Sequence, residues 1–178
     1  MSATTIARNY AEALFELGDR SGNADRYAEL LDALAGAVET TPEVQSVLMS
    51  PRVPKAEKIR LLGAALKGAP REFGLFLQAL VKRGRHRYLR EISGEYQTLL
   101  DIKHNRIRAG VTLAHPADPA LQREIQDALS RELGKEVIAA FRVDPEILGG
   151  TVVRIGERIH DGSVRRRMTK LRRHLISG

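Results

Sequence analysis

The sequence has no cysteine and no tryptophan. Without cysteine there is no disulfide framework, no thiolate metal site and no cysteine nucleophile. Other aromatics are scarce, with four Tyr and four Phe in 178 residues. So few argue against a base-stacking nucleic-acid surface. No apolar run approaches the roughly 18 residues that a membrane span needs. The start, Met1-Ser2-Ala3-Thr4-Thr5-Ile6-Ala7-Arg8, lacks a charged segment followed by an apolar one, so no signal peptide is expected. The expectation is a protein made and kept in the cytoplasm, with any membrane link running through a partner. There is no Gly-rich phosphate loop of the Walker or dinucleotide kind. His86, His104, His115, His160 and His174 have no metal-ligand spacing and read as surface residues.

What remains is a globular balance of 43% hydrophobic and 29% charged residues, enough to bury the core of one domain or two small ones. The formal net charge is +7 and is unevenly spread. Residues 1–104 carry 15 basic and 13 acidic side chains, whereas residues 105–178 carry 14 and 9. Two regions with different surroundings are implied.

The first region has helical periodicity throughout. Ile6, Tyr10, Ala13, Leu14 and Leu17 recur at helical spacing, and Ser21-Gly22-Asn23 breaks the run. Tyr27, Leu30, Leu31, Leu34 and Val38 repeat it. Thr41-Pro42-Glu43 is a helix start, since Thr caps, Pro fits the first position and Glu suits the positive dipole end. Pro54 and Pro70 open two more helices, the second carrying Phe73, Phe76, Leu77, Leu80 and Val81 with Gly84 as its C-cap. A sixth helix runs from about Tyr88 through Leu100. Six short-looped amphipathic helices make a bundle.

Near Lys103-His104-Asn105 the period changes from 3.6 to 2. Arg106 to Leu113 alternates as a strand, Asp118-Pro119 opens a helix that Gly134 ends, and Val137 to Val143 alternates again. Gly150 to Ile155 is a third strand, interrupted by Gly156. Asp161-Gly162-Ser163 precedes a basic helix with Val164, Met168, Leu171 and Leu175 on one stripe. The expected fold is α+β: an N-terminal six-helix bundle over 1–104, then a small mixed β-α-β-β-α domain over 105–178.

No catalytic set emerges. Asp144 with Glu146, and Glu157 with Asp161, have the makings of acid–base pairs, but solvated turns explain them more simply. Gly149-Gly150 beside a strand reads as a close backbone approach or a bulge. Arg83-Gly84-Arg85-His86-Arg87 and Arg165-Arg166-Arg167 with Lys170, Arg172 and Arg173 are basic clusters that suit phosphate, acidic protein surface or plain solvent. The more informative feature is the first helix. Ala3, Ile6, Ala7, Tyr10, Ala11, Ala13, Leu14, Phe15 and Leu17 share an arc of about 200°, wider than the roughly 100° stripe a core requires. Central burial in the bundle is one explanation, and a groove for an amphipathic partner helix is the other.

The run from Phe141 to Gly156, with Asp144, Gly149, Gly150 and Gly156, resembles the signature of the delta subunit of F-type ATP synthases. That family includes the mitochondrial oligomycin-sensitivity-conferring protein. Asp161-Gly162-Ser163-Val164-Arg165 is similar to the family's Asp-Gly-Ser segment. Ala7 to Phe15 resembles its first helix, and Phe76-Leu77 through Gly84-Arg85 its fifth. The resemblance implies a non-catalytic stator connector without cofactor or metal. The bundle would grip the N-terminal helix of an alpha subunit through Ala7, Tyr10, Ala11, Leu14, Phe76, Leu77 and Leu80. The C-terminal domain would hold the b subunits of the peripheral stalk. The protein would sit peripherally at the cytoplasmic face of the cell (inner) membrane, coupling proton-driven rotation to ATP synthesis. The alternative from another class is a basic RNA- or ribosome-associated domain.

Overall fold

The computed structural model describes residues 2–169. The chain falls into two compact units divided between Asp101 and Ile102. The last helix of the first unit carries the chain past that division to Lys103, and Asn105 then takes a left-handed φ of 53° before the first strand.

The first unit is helical: α1 Ala3–Ser21, α2 Ala24–Thr40, α3 Pro42–Met49, α4 Lys55–Ala65, α5 Arg71–Lys82 and α6 Leu89–Lys103, with a 3-10 turn at His86–Tyr88. Local chemistry sets the ends. Ser2 Oγ accepts the Thr5 N–H at the start of α1. Gly22, at φ 67°, ends it, and the Asn23 N–H closes back onto the Gly18 carbonyl at 2.8 Å. One buried cluster draws Leu14, Leu31, Leu48, Leu62, Phe73 and Ile92 from the successive helices. Gly18 allows α1 its close approach, because a Cβ there would lie 2.9 Å from both the Tyr27 ring and the Tyr96 hydroxyl. That hydroxyl donates to the Ala24 carbonyl at 2.9 Å, and burial pushes the Tyr96 phenol pKa up.

Two lysines of α4 tie down neighbouring helix ends. The Lys58 ammonium is buried and donates to the Leu48 carbonyl at 2.6 Å, while Lys55 donates to the Lys82 carbonyl at 2.7 Å. Last-turn carbonyls lack intrahelical donors and sit at the negative end of the helix dipole, so cations are suited to both places. His86 Nε2–H donates to the same Leu48 carbonyl at 2.8 Å, and its buried Nδ1 has no partner among the described residues. Burial, then the charges of Lys58, Arg87 and Lys55, hold the His86 imidazole below its ordinary 6.5, although the Leu48 bond works the other way. The folded chain therefore resists a proton that the unfolded chain accepts. Stability should fall as pH drops below about 6.5 and level off once folded His86 also protonates. Thermal melts at neutral and acid pH check this. His86→Gln, which keeps a donor for Leu48, should narrow the gap between the two melting temperatures. An unchanged gap would assign the acid sensitivity to other groups.

The second unit contains β1 Arg106–Leu113, α7 Pro119–Leu133, β2 Glu136–Val143, a 3-10 turn at Pro145–Ile147, β3 Thr151–Ile155, β4 Arg158–Asp161 and helical backbone over 164–169. The strand order is β2-β1-β3-β4. β1 and β2 are parallel, with Val111 opposite Phe141, and the other pairings are antiparallel, with Val111 opposite Val153. Asp118 caps α7 by accepting the Leu121 N–H at 2.7 Å, and Gly134, at φ 65°, ends it. α7 also shields the edge of β2. Ser130 Oγ accepts the Val137 N–H at 3.0 Å and Gln126 Oε1 accepts the Ala139 N–H at 3.4 Å.

The β-α-β-β-α expectation for this unit needs correction, because the sheet has a fourth strand. Gly156 does not interrupt β3 but turns it. At φ 56° it begins a two-residue loop that pairs Ile155 with Arg158. β4 was hidden in the sequence because Arg158, Ile159 and His160 are all exposed, so no burial alternation marks it. In the expected final stripe, Val164 and Met168 are exposed within 164–169. Leu171, Leu175, Lys170, Arg172 and Arg173 lie outside the described residues.

Candidate functional site

A groove of about 590 Å³ opens beside α1 and the end of α5, lined by Ile6, Asn9, Tyr10, Ala13, Arg83 and Arg85. Its shape follows from the end of α5. Gly84 takes the left-handed conformation at φ 65°, and the Arg85 N–H returns to the Leu80 carbonyl at 2.8 Å. This turn sets Arg83 and Arg85 beside the α1 arc. Tyr10 packs edge-to-face on Phe76 with ring centroids 6.2 Å apart, which fixes α1 against α5. Among the described residues neither Arg83 nor Arg85 forms an ion pair. The result is an apolar floor with a cationic end, suited to an amphipathic helix bearing a carboxylate.

The residues expected at this site divide. Tyr10 lines the groove and is half-buried. Ala7, Ala11, Leu14 and Leu80 have no exposed surface and belong to the core cluster, together with Leu77 and Phe76. Central burial thus accounts for one side of the wide apolar arc, while exposed Ala13 and half-buried Tyr10 remain for the groove. Ile6 and Ala13 were legible as arc members, and Arg83 and Arg85 as a basic cluster. Joining them required the Gly84 turn to be followed in three dimensions.

The signature residues of the second unit form a backbone crossing. Gly150, at φ 79°, lies so close to Gly162 that a Cβ would stand 2.5 Å from the Gly162 carbonyl oxygen. The Val164 N–H donates to the Gly149 carbonyl at 3.0 Å and the Gly162 N–H to the Thr151 carbonyl at 3.0 Å. Asp161 accepts the Ser163 N–H at 3.0 Å, and the buried Ser163 accepts the Arg166 N–H at 3.2 Å. Hydrogen bonds from Ser163, then the nearby Arg166 and Arg165, hold the Asp161 carboxyl below the usual carboxylate range. Asp144 accepts the Glu146 N–H at 3.0 Å, and Glu146 pairs with Arg165 at 3.4 Å. These carboxylates organise turns, and no group of His, Asp and Glu able to hold a metal occurs among the described residues. The family model described as ATP synthase delta (OSCP) subunit matches residues 6–175.

The chain belongs to the ATP synthase delta (OSCP) subunit family. The ATP synthase subunit delta of Gemmatimonas aurantiaca is 39% identical over 172 residues, covering 96% of this chain and 93% of that protein. The ATP synthase subunit delta of Desulforamulus reducens is 35% identical over 173 residues, with 97% and 96% covered. The fold is similar to that of a chain in the Toxoplasma gondii mitochondrial ATP synthase hexamer, at a TM-score of 0.71 and 18% identity, over 96% of this chain and 97% of that one. As a delta/OSCP subunit the chain is a structural part of the peripheral stalk of ATP synthase and not a catalytic one. Nothing supports the RNA- or ribosome-associated alternative. No helix among the described residues is long and apolar enough to cross a membrane.

Proposed function

We propose that the chain joins the catalytic head of ATP synthase to its stator. In this reading residues 1–104 act as a six-helix bundle that grips the N-terminal helix of an alpha subunit. Residues 105–178 hold the b subunits. The assembly keeps the protein peripheral, at the cytoplasmic face of the cell membrane. The observation that carries the head-binding half is the α1/α5 groove, with Tyr10 and Ala13 on its floor and Arg83 and Arg85 at its end. Burying the apolar face of a helix there would yield roughly 25 cal/mol per Å² of apolar surface before ordering costs. The arginines would fix orientation more than affinity.

The test places a charge on the floor without touching the core. Ala11→Asp is unsuitable, because Ala11 is fully buried and its carboxylate would unfold the bundle instead of probing the groove. Ala13 is exposed and lines the groove, so Ala13→Asp costs the free protein little. On docking, that carboxylate would lose water and compete with the partner helix's own carboxylate for Arg83 and Arg85, weakening head binding by about 1–3 kcal/mol. Titration of the purified head with folded Ala13→Asp protein reads the effect. Unchanged affinity would move the alpha-subunit site elsewhere.

A further inference from the structure

The sheet of the second unit has two unlike faces. Alternation along β1 sends Ile107, Ala109, Val111 and Leu113 to one side, and Arg106, Arg108, Gly110 and Thr112 to the other. The first side includes the fully buried Val111 and, opposite Ile107 on β2, the fully buried Val137. On the second side the register lines up Ala140, Gly110, Arg154 and Ile159 across all four strands. The next row is Arg142, Thr112, Val152 and Asp161, and Ile138 stands beside Arg108. Arg108, Gly110, Ala140, Arg142, Arg154 and Ile159 are exposed, so the middle of this face is open.

Its chemistry is one-sided. Among the described residues neither Arg142 nor Arg154 has a carboxylate partner. Of the two acids on this side, Glu136 is occupied by Arg106 at 2.7 Å and Asp161 by Ser163. The other acids of the unit lie on α7 or its cap, as with Asp118, Glu124, Asp127 and Glu132, or on turns, as with Asp144, Glu146 and Glu157. Gly110 and Ala140 make a low floor, Ile138 and Ile159 give it apolar margins, and the arginines stand around it. A helix about 10 Å across spans two to three strands spaced about 4.8 Å apart. Among the described strand residues no aromatic ring lies on this face to stack a base, whereas guanidinium forks match carboxylates in bidentate pairs.

We propose that this open face, centred on Gly110 and Ala140 between Arg142 and Arg154, receives a stalk helix that is apolar along one stripe and acidic beside it. This rests on the reading that the second unit holds the b subunits, and it names the surface and the partner chemistry. The charge supplies orientation and a salt-dependent share of the binding, and the apolar margins supply the remainder.

The test uses the full-length chain with the enzyme's own b subunit and, separately, its catalytic head. Arg142→Glu/Arg154→Glu should weaken b-subunit binding about 10- to 100-fold at low salt and leave head binding unchanged. The difference from wild type should shrink as salt rises. Glu124→Lys/Asp127→Lys on α7 should leave b-subunit binding intact, and an equal loss there would overturn the proposal. If the double Glu variant does not fold, Arg142→Gln/Arg154→Gln decides: a several-fold loss supports the face, and wild-type binding overturns it. Wild-type b-subunit binding by folded Arg142→Glu/Arg154→Glu overturns the docking face while leaving the second unit as the anchor. If a chain lacking the second unit still binds the b subunit, the anchor reading itself falls.

Discussion

A chain ending at His104 should still fold and bind the catalytic head, yet membranes carrying only that chain should lose proton-driven ATP synthesis. The first half of the expectation rests on packing. The buried cluster of the first unit runs from Ala7 to Leu100, so its described members all lie within residues 1–104. The groove is likewise lined by residues of the first unit, Ile6, Asn9, Tyr10, Ala13, Arg83 and Arg85. A cooperative thermal melt and head-binding titrations near wild type should follow. ATP hydrolysis by the detached head should persist, because a structural subunit supplies none of its chemistry. Synthesis depends on mechanics instead. With the second unit gone, rotor torque would turn the unanchored head instead of straining it. Sustained synthesis at wild-type rates would refute the stalk role of residues 105–178.

Helix punctuation was the most legible part of the sequence, since each signal acts through a few neighbouring residues. Ser21-Gly22-Asn23, Thr41-Pro42, Gly84, Asp118-Pro119 and Gly134 all lie at helix ends. β1 and β2 were visible because apolar side chains alternate along them, from Ile107 to Leu113 and from Val137 to Val143, even though along β2 only Val137 is buried and Val143 is exposed. β4 has no such alternation, and only its pairing with β3 reveals it. The candidate site was legible in part for a related reason. Periodicity shows that a side chain is apolar but not which neighbour covers it. Ala11 and Ala13 share one arc, yet Ala11 is sealed in the core and Ala13 opens on the groove. The partnership of α1 with the Arg83–Arg85 turn joins residues about 70 positions apart, and local signals do not encode such separations. Lys58 is the clearest case. In sequence it is one more solvated cation of α4, whereas in the fold it is 5% exposed and holds the end of α3.

Gly150→Val should collapse the second unit and spare the first. Two penalties combine at this position. Its φ of 79° is a region that β-branched residues avoid, costing about 1–3 kcal/mol. Its Cβ would also stand 2.5 Å from the Gly162 carbonyl oxygen and 3.3 Å from the Ser163 Cα, which are backbone atoms unable to swing aside. Forcing them apart adds about 1–3 kcal/mol or more, since overpacking moves the chain itself. The movement would break the Val164 N–H bond to the Gly149 carbonyl and the Gly162 N–H bond to the Thr151 carbonyl, both 3.0 Å long. A domain of this size has only about 5 kcal/mol of stability, so the sum suffices to unfold it. Gly156→Ala is the matched control. It imposes a φ of 56° on a side chain but meets nothing within 4 Å, so about 1 kcal/mol is expected and the unit should stay folded. Residue-resolved hydrogen exchange can separate the outcomes. In Gly150→Val, protection should vanish across β1 to β4 and persist in α1, α2 and α5. Head binding should survive while b-subunit binding is lost. Equal loss in both units, or full protection in both, would show that the Gly150–Gly162 crossing does not govern the second unit alone.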